Sequence, residues 1–66
     1  MKITLNGKIK EISDPLTLKA AVDHFGQTKA PVIAELNGEI IRAPRWEEMM
    51  LKEGDAIELV SFVGGG

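Results

Sequence analysis

The chain has 66 residues, of which 44% are hydrophobic and 27% are charged, a composition typical of one small globular domain rather than a disordered chain. It contains no cysteine and one histidine, which excludes disulfides, thiolate metal sites and histidine clusters. No apolar run reaches the ~20 residues that span a bilayer, and no stretch resembles a signal peptide. The sequence therefore predicts a cytoplasmic protein that does not interact with membranes.

Charge is unevenly distributed along the chain. Residues 1–45 carry seven Lys or Arg and five Asp or Glu, whereas residues 46–66 carry one and five. Two interpretations fit the acidic end: a solvated face, or electrostatic steering toward a basic partner. A nucleic-acid partner is not expected, because the chain lacks a basic patch and has few aromatic residues for stacking.

The first predicted element is a β-hairpin. Its first strand alternates apolar with polar residues, the apolar ones being Met1, Ile3 and Leu5. Asn6-Gly7 then supplies two residues that tolerate positive φ, as a type I′ turn requires. Residues 8–12 return as the second strand, but Ile9 and Ile12 should face opposite sides. A bulge, or a strand that ends early, would explain this imperfect alternation.

A helix is predicted next, because the apolar residues change to helical spacing. Asp14 followed by Pro15 favours an N-cap and a first helical position, with Thr17 as a competing cap one turn later. Gly26 fits the C′ position just beyond the helix end. The face that points to the core consists of Leu18, Ala21, Val22 and Phe25.

A second hairpin and a last strand are predicted beyond the helix. Residues 32–36 are rich in apolar residues, Asn37-Gly38 is another type I′ candidate, and residues 39–42 form a short return strand. The last strand covers residues 56–63, after a turn at Gly54 and Asp55. A short helix or 3-10 turn should precede that turn, with three side chains closing one end of the core, namely Trp46, Met49 and Met50.

The element order β-β-α-β-β-(short helix)-β predicts an α+β fold. One amphipathic helix covers one face of a sheet, so the layers are two: a mixed sheet of about five strands and the helix. The first and last strands should lie parallel in the centre, since the helix crosses over between the hairpins. This is a β-grasp, or ubiquitin-like, roll. The folded domain is expected to cover residues 1–63, with residues 64–66 as a flexible glycine tail.

The side chains offer little catalytic chemistry. His24 lies in the predicted last helical turn, where a protonated imidazole would favour the helix dipole. The alternative role, a general base, is not expected, because no nucleophile or orienting acid is evident near it. Ser13 and Ser61 have no evident His or Asp partner. The glycines follow a strand but precede no Gly-Lys-Ser/Thr, so they are not a P-loop. The group that remains is the α-carboxylate of Gly66.

The glycine tail suits a carboxylate that must enter another protein. Glycine has no Cβ, so Gly64, Gly65 and Gly66 could lie extended in a narrow channel that excludes side chains. The partner must offset the tail's lost entropy with contacts elsewhere, and three apolar residues beside the tail are candidates for them: Val60, Phe62 and Val63. Phe62 could instead pack under its own loop, and the glycines could be a plain linker.

The whole chain resembles the sulfur-carrier proteins of thiamine (thiazole) biosynthesis. The stretches that carry the resemblance are "MKITLNGK", "LNGEII" with Trp46 beyond it, "EGDAIEL" and the terminal "FVGGG". The resemblance implies a non-enzymatic carrier with no bound cofactor or metal. An E1-like adenylyltransferase would use ATP to adenylate Gly66, a sulfur donor would convert it to a thiocarboxylate, and thiazole synthase would receive the sulfur. Gly65-Gly66 match the family's reactive end, whereas Gly64 is an extra glycine.

Other carriers share these features. The small subunit of molybdopterin synthase has the same fold and Gly-Gly end, although its members tend to be longer. Carriers for tRNA thiolation or cysteine synthesis also end in Gly-Gly. A ubiquitin-like protein modifier or interaction module is the alternative of another class.

Overall fold

The structure is a computed structural model that describes residues 1–13, 16–26 and 31–61. In this described part, five strands form one mixed sheet in the order β2-β1-β5-β3-β4. The elements, in chain order, are β1 (Lys2–Leu5), β2 (Lys8–Glu11), α1 (Leu18–Phe25), β3 (Val32–Leu36), β4 (Glu39–Ile41), a 3-10 helix (Ala43–Glu48) and β5 (Ala56–Ser61).

The first and last strands lie side by side in the sheet. β1 and β5 are parallel, with Thr4 opposite Ala56 and Leu5 opposite Ile57. β5 pairs with β3 on its other side in antiparallel orientation. The predicted element order, parallel central pair and α+β class are therefore confirmed.

The core lies between one sheet face, here called the inner face, and α1. Alternation along a strand sends every second side chain to this face. The helix contributes the positions predicted from its periodicity, with Phe25 packed at the margin. The buried residues of the core cluster are Ile3, Leu5, Leu18, Ala21, Val22, Ala34, Ile41, Leu51 and Ile57.

Helix α1 begins at Leu18 because Thr17 caps it. The Thr17 hydroxyl accepts a hydrogen bond from the Ala20 N–H at 3.1 Å, which satisfies one of the free donors of the first turn. The start predicted at Asp14 and Pro15 lies outside the described residues, and the competing prediction for Thr17 is confirmed.

Gly26 ends the helix, but for a different reason from the one predicted. Its φ is −94°, which is not the left-handed conformation of a typical C′ glycine. Its N–H donates to the Val22 carbonyl at 2.7 Å, and a Cβ on Gly26 would lie 2.8 Å from that same oxygen. Close approach of the backbone therefore favours glycine here.

Both predicted type I′ turns are present. Asn6 and Gly7 have φ values of 50° and 84°, and Asn37 and Gly38 have 53° and 86°. All four residues have the positive φ that this turn needs.

The imperfect alternation of the second strand is also explained. β2 ends at Glu11, but Ile12 still exchanges two backbone hydrogen bonds of 2.9 Å with Met1, which continue the pairing of the two strands. By regular alternation Ile12 packs against the core, whereas Ile9 faces the other side and is 74% exposed. The one-to-one register contains no bulge, so the predicted bulge is wrong, and the opposite facing of the two isoleucines is confirmed.

The prediction for Met50 is wrong. Trp46 and Met49 pack against the core as expected, but Met50 is 47% exposed. The reason is that the 3-10 helix stops at Glu48 and Met49 is already extended, so successive side chains point to opposite sides. The buried neighbour is Leu51, which the sequence analysis did not single out.

Candidate functional site

The predicted reactive tail follows β5 directly. Phe62, Val63 and the three glycines lie outside the described residues, so the predictions for them and for the domain boundary at residue 63 stay predictions. Val60 is described: it lies in β5 and is 47% exposed, as a residue that contacts a partner must be.

The strand that carries the tail is held from the side of the first hairpin by an asparagine. Parallel pairing of β1 with β5 reaches Leu5 and Ile57. One position further, the Asn6 side-chain Oδ1 accepts a hydrogen bond from the Leu59 N–H at 2.9 Å. The side chain of a turn residue therefore continues the hydrogen bonding along β5 after the neighbouring strand has turned away.

The second hairpin holds β5 in the same way. The Asn37 Oδ1 accepts a hydrogen bond from the Ala56 N–H at 2.9 Å, and the Asn37 N–H donates to the Ala56 carbonyl at 2.7 Å. The start of β5 is thus fixed to this turn by two hydrogen bonds.

Asn37 also belongs to a small, partly buried network around Asp55. Its Nδ2 donates to Asp55 Oδ1 at 3.0 Å, and the Lys52 N–H donates to Asp55 Oδ2 at 2.7 Å. Asp55 is 9% exposed, and its carboxylate is stabilised by these donors. Sequence reasoning assigned Asn6, Asn37 and Asp55 to turns, and it missed these contacts because a turn pattern says nothing about the neighbouring strand.

The sheet face that points away from α1, here called the outer face, adjoins the base of the tail. Val60 lies opposite Ile33, and Glu58 lies opposite Glu35. Ile40, in the neighbouring strand, lies opposite Glu35 on its other side and is 62% exposed. An apolar surface with two carboxylates is therefore presented next to the strand that leads into the tail.

The remaining reactive side chains do not form a catalytic site in the described part of the chain. Ser13, His24 and Glu11 line one cavity of about 500 Å³, which the sequence did not predict. No hydrogen bond of the described residues joins the three; the His24 ring instead meets Phe25 edge-on at 4.6 Å. The described residues contain no group of three His, Cys, Asp or Glu suited to a metal ion.

None of the helices in the described residues has the length and apolar character needed to cross a bilayer.

The fold and the position of the tail define a class of protein. A mixed sheet with parallel central strands, crossed by a helix and ending at a central strand, is a β-grasp fold. A crystal structure of the thiamine biosynthesis protein ThiS from Geobacter metallireducens matches it with a TM-score of 0.84 and 32% identity, covering 100% of both chains.

Sequence comparisons give the family. The family model described as "ThiS family" matches residues 3–66. The sulfur carrier protein ThiS of Bacillus subtilis is 40% identical over 65 residues, which are 97% of this chain and 98% of the relative. The chain belongs to the ThiS family, and its role is that of a sulfur carrier in thiamine biosynthesis.

A longer relative is also similar. The thiazole synthase of Paramagnetospirillum magneticum is 32% identical over 66 residues, which cover 100% of this chain. The chain spans only 20% of the length of that relative.

Proposed function

We propose that the α-carboxylate of Gly66 is the atom group through which this protein carries sulfur. The observation that carries the proposal is the position of the tail: it follows β5, a central strand whose backbone is bonded to both hairpins through Asn6 and Asn37. A rigid base lowers the entropy that a partner must offset to place the tail, because only the residues beyond the base need ordering. The match of the family model through residue 66 supports the same assignment.

The chemistry requires activation, because a carboxylate oxygen is a poor leaving group. In the proposed reaction, a carboxylate oxygen of Gly66 attacks the α-phosphorus of ATP, and pyrophosphate leaves. The terminal sulfur of a persulfide on the donor enzyme then attacks the acyl carbon and displaces AMP, which leaves an acyl disulfide between Gly66 and the donor. A thiol reductant attacks the donor's sulfur, breaks the S–S bond and forms a disulfide with the donor, which releases Gly66 as a thiocarboxylate. ATP is bound by an E1-like adenylyltransferase, so the carrier itself needs no catalytic side chain and no resident cofactor.

Glycine suits this role at the last three positions. Gly64, Gly65 and Gly66 add no side chains, so the tail fits a narrow channel leading to a buried reaction centre. Two enzymes must accept the same tail in turn, the one that loads sulfur and the one that consumes it. Val60, Phe62 and Val63 supply the contacts that offset the ordering of the tail.

A thiazole synthase is the proposed acceptor of the sulfur. The support is that a thiazole synthase contains a segment similar to this chain, equal to 20% of its length. A carrier segment and a synthase in one polypeptide are consistent with two activities that act in succession.

Intact-mass spectrometry tests the proposal. The protein incubated with its adenylyltransferase and ATP is expected to gain the mass of one AMP. With a sulfur donor added, it should instead show the exchange of one carboxylate oxygen for sulfur. The matched control is a semisynthetic chain with the same sequence and a C-terminal carboxamide, which keeps the length and the glycines but has no α-carboxylate. Loading of the carboxamide chain would contradict the assignment of Gly66.

Growth of a strain that requires thiazole tests the pathway. Expression of the chain is expected to restore growth without thiazole, and deletion of Gly66 should abolish this rescue. Rescue of a molybdoenzyme instead would move the carrier to the molybdopterin pathway.

A further inference from the structure

We propose that the edge strand β2 and the cavity between it and α1 form a binding site for an extended segment of another protein, which adds to the sheet as a sixth, antiparallel strand. The segment carries carboxylates beside the lysines of β2 and an aliphatic side chain at the cavity. β1 separates this site from β5, the strand that leads into the tail. The proposal goes beyond sulfur transfer, because it does not depend on the chemistry of Gly66.

β2 offers backbone hydrogen-bonding groups along its free edge. It is an end strand of the sheet in the described part of the chain, and all four of its residues are exposed. Met1 and Ile12 exchange two backbone hydrogen bonds of 2.9 Å, and bonded pairs recur at every second position of an antiparallel ladder. By this alternation, Ile9 and Glu11 point their N–H and carbonyl groups away from β1, where a further strand can pair with them.

A cavity lies beside this edge, between β2 and α1. Its volume is about 500 Å³, and its lining includes four apolar residues, namely Ile12, Leu16, Ala20 and Phe25. Lys10 of β2 also lines it, so the inner-face side of the strand borders the cavity. Every second side chain of an added strand lies on that same side and can enter the cavity, which gives the pairing a specific pocket.

The charges along β2 favour an acidic segment. Lys8 and Lys10 lie opposite apolar core residues of β1, so no carboxylate of that strand faces them. The carboxylate of Glu11, by contrast, lies opposite Lys2. Carboxylates placed opposite the two lysines would form cross-strand pairs of opposite charge, which stabilise a sheet.

A second copy of this chain does not suit the edge. Two copies of β2 that pair antiparallel about a twofold axis keep inner face with inner face, so each residue meets a residue of its own face. A pairing centred on Ile9 sets Lys8 opposite Lys10, and a pairing centred on any other residue of β2 sets that charged residue opposite its own copy. Like charges directly opposite each other destabilise the pairing, so charge favours an acidic segment of a different protein.

The other edge of the sheet is less suited to an added strand. β4 has three residues, of which Ile41 is buried. The Ile41 carbonyl also accepts a hydrogen bond from Trp46 Nε1 at 2.7 Å, which places the indole beside this edge. The longer and fully exposed strand is β2.

Nuclear magnetic resonance with a synthetic peptide tests the proposal on the full chain. The probe is Val-Thr-Glu-Val-Glu, acetylated and amidated, which in antiparallel register sets its glutamates opposite Lys10 and Lys8 and its first valine opposite Ile12. At a peptide concentration of about ten times the dissociation constant, the Ile9 and Glu11 amides should exchange about tenfold more slowly, because only the free fraction exchanges. The Lys8 and Lys10 amides, which face β1, should change little.

Two altered peptides separate strand addition from unspecific attraction. Lysine in place of both glutamates should weaken binding by at least about tenfold at low salt. Proline in place of the second valine removes the donor for the Ile9 carbonyl and should abolish the protection of the Ile9 and Glu11 amides. Equal binding of all three peptides, or binding without protection of these two amides, would overturn the proposal.

Variants of the chain test the lysines and the cavity. Lys10→Gln should weaken binding of the probe about fivefold, because it removes one of the two cross-strand charge pairs. Ala20→Leu keeps a good helix former but fills part of the cavity, so it should also lower the affinity. Lys52→Gln is the matched control, since it makes the same charge change at an exposed lysine outside the strands and the cavity lining. It should leave the affinity unchanged.

Melting temperatures show whether each variant is folded, and the peptide series decides the proposal on the wild-type chain if one is not. Equal affinity of the Lys10→Gln and Lys52→Gln chains for the probe would contradict the proposed charge pairing. Protection of the Ile9 and Glu11 amides that rises with protein concentration, without peptide, would assign the edge to a second copy and overturn the proposal.

Discussion

The two Asn-Gly hairpins that flank β5 are built alike and are integrated differently. Each has a type I′ turn, and each uses the side chain of its turn asparagine to bond the backbone of β5. The first hairpin contributes an outer strand, β2, in which every residue is exposed. The second contributes β4 with the buried Ile41, and its asparagine reaches the buried Asp55. The comparison shows that the same Asn-Gly turn can connect a strand with no buried residue, β2, or a strand that contributes to the core, β4.

The largest expected difference lies between the outer strands of the two hairpins. Ile41→Ala should lower the free energy of unfolding by about 3 kcal/mol, because it removes a side chain that is only 3% exposed and leaves a cavity. Ile9→Ala is the matched change in β2, where the side chain is 74% exposed, and should cost no more than about 0.5 kcal/mol. Urea denaturation measures both values. Equal losses would mean that β2 contributes to the core as much as β4 does.

The two turns differ in the number of side-chain hydrogen bonds that their asparagines make, two for Asn37 and one for Asn6. Asn37→Gly keeps a residue that tolerates positive φ, so the turn survives and only the side-chain bonds to Ala56 and Asp55 are lost. With a net value of about 1 kcal/mol for each bond, the loss should be about 2 kcal/mol. Chemical denaturation with an unchanged m-value would show that the change affects stability rather than the extent of the fold. A loss below that of Asn6→Gly would contradict the asymmetry of the hairpins.

The hairpins, the helix face and the parallel central pair could be predicted because each follows from a local rule. A type I′ turn requires positive φ, which Asn-Gly tolerates, and apolar residues at helical spacing mark a buried face. A helix that crosses over between the two hairpins makes the first and last strands of the chain parallel. Gly66 was found in a different way, by elimination of side-chain chemistry and by resemblance. Its role stays a prediction, because the tail lies outside the described residues.

What could not be predicted depends on register between distant parts of the chain. The bonds of Asn6 and Asn37 to β5 join residues 53 and 19 positions apart, and the facing of Glu35 and Glu58 depends on how β3 slides along β5. The prediction for Met50 was wrong because the 3-10 helix ends at Glu48 and the chain is extended from Met49 onward. The amino-acid composition of this segment does not mark that boundary. Side-chain hydrogen bonds and strand register are set by tertiary packing, so a local pattern leaves them open.

The smallest expected effect is at the first turn, and it sharpens the functional role of both turns. Asn6→Gly removes one hydrogen bond, to the Leu59 N–H, and should cost about 1 kcal/mol. Leu59 lies two residues before the end of β5, closer to the tail than Ala56, where Asn37 binds. Asn6→Gly should therefore lower stability less than Asn37→Gly does. It should nevertheless cause the larger increase in amide hydrogen exchange at Leu59 and the larger drop in the rate of Gly66 adenylation. Asn6→Asp, which keeps an acceptor oxygen at the same position, should restore protection of the Leu59 amide. If adenylation instead slowed in proportion to lost stability in both turn variants, the rigidity of the tail base would have no separate role in loading.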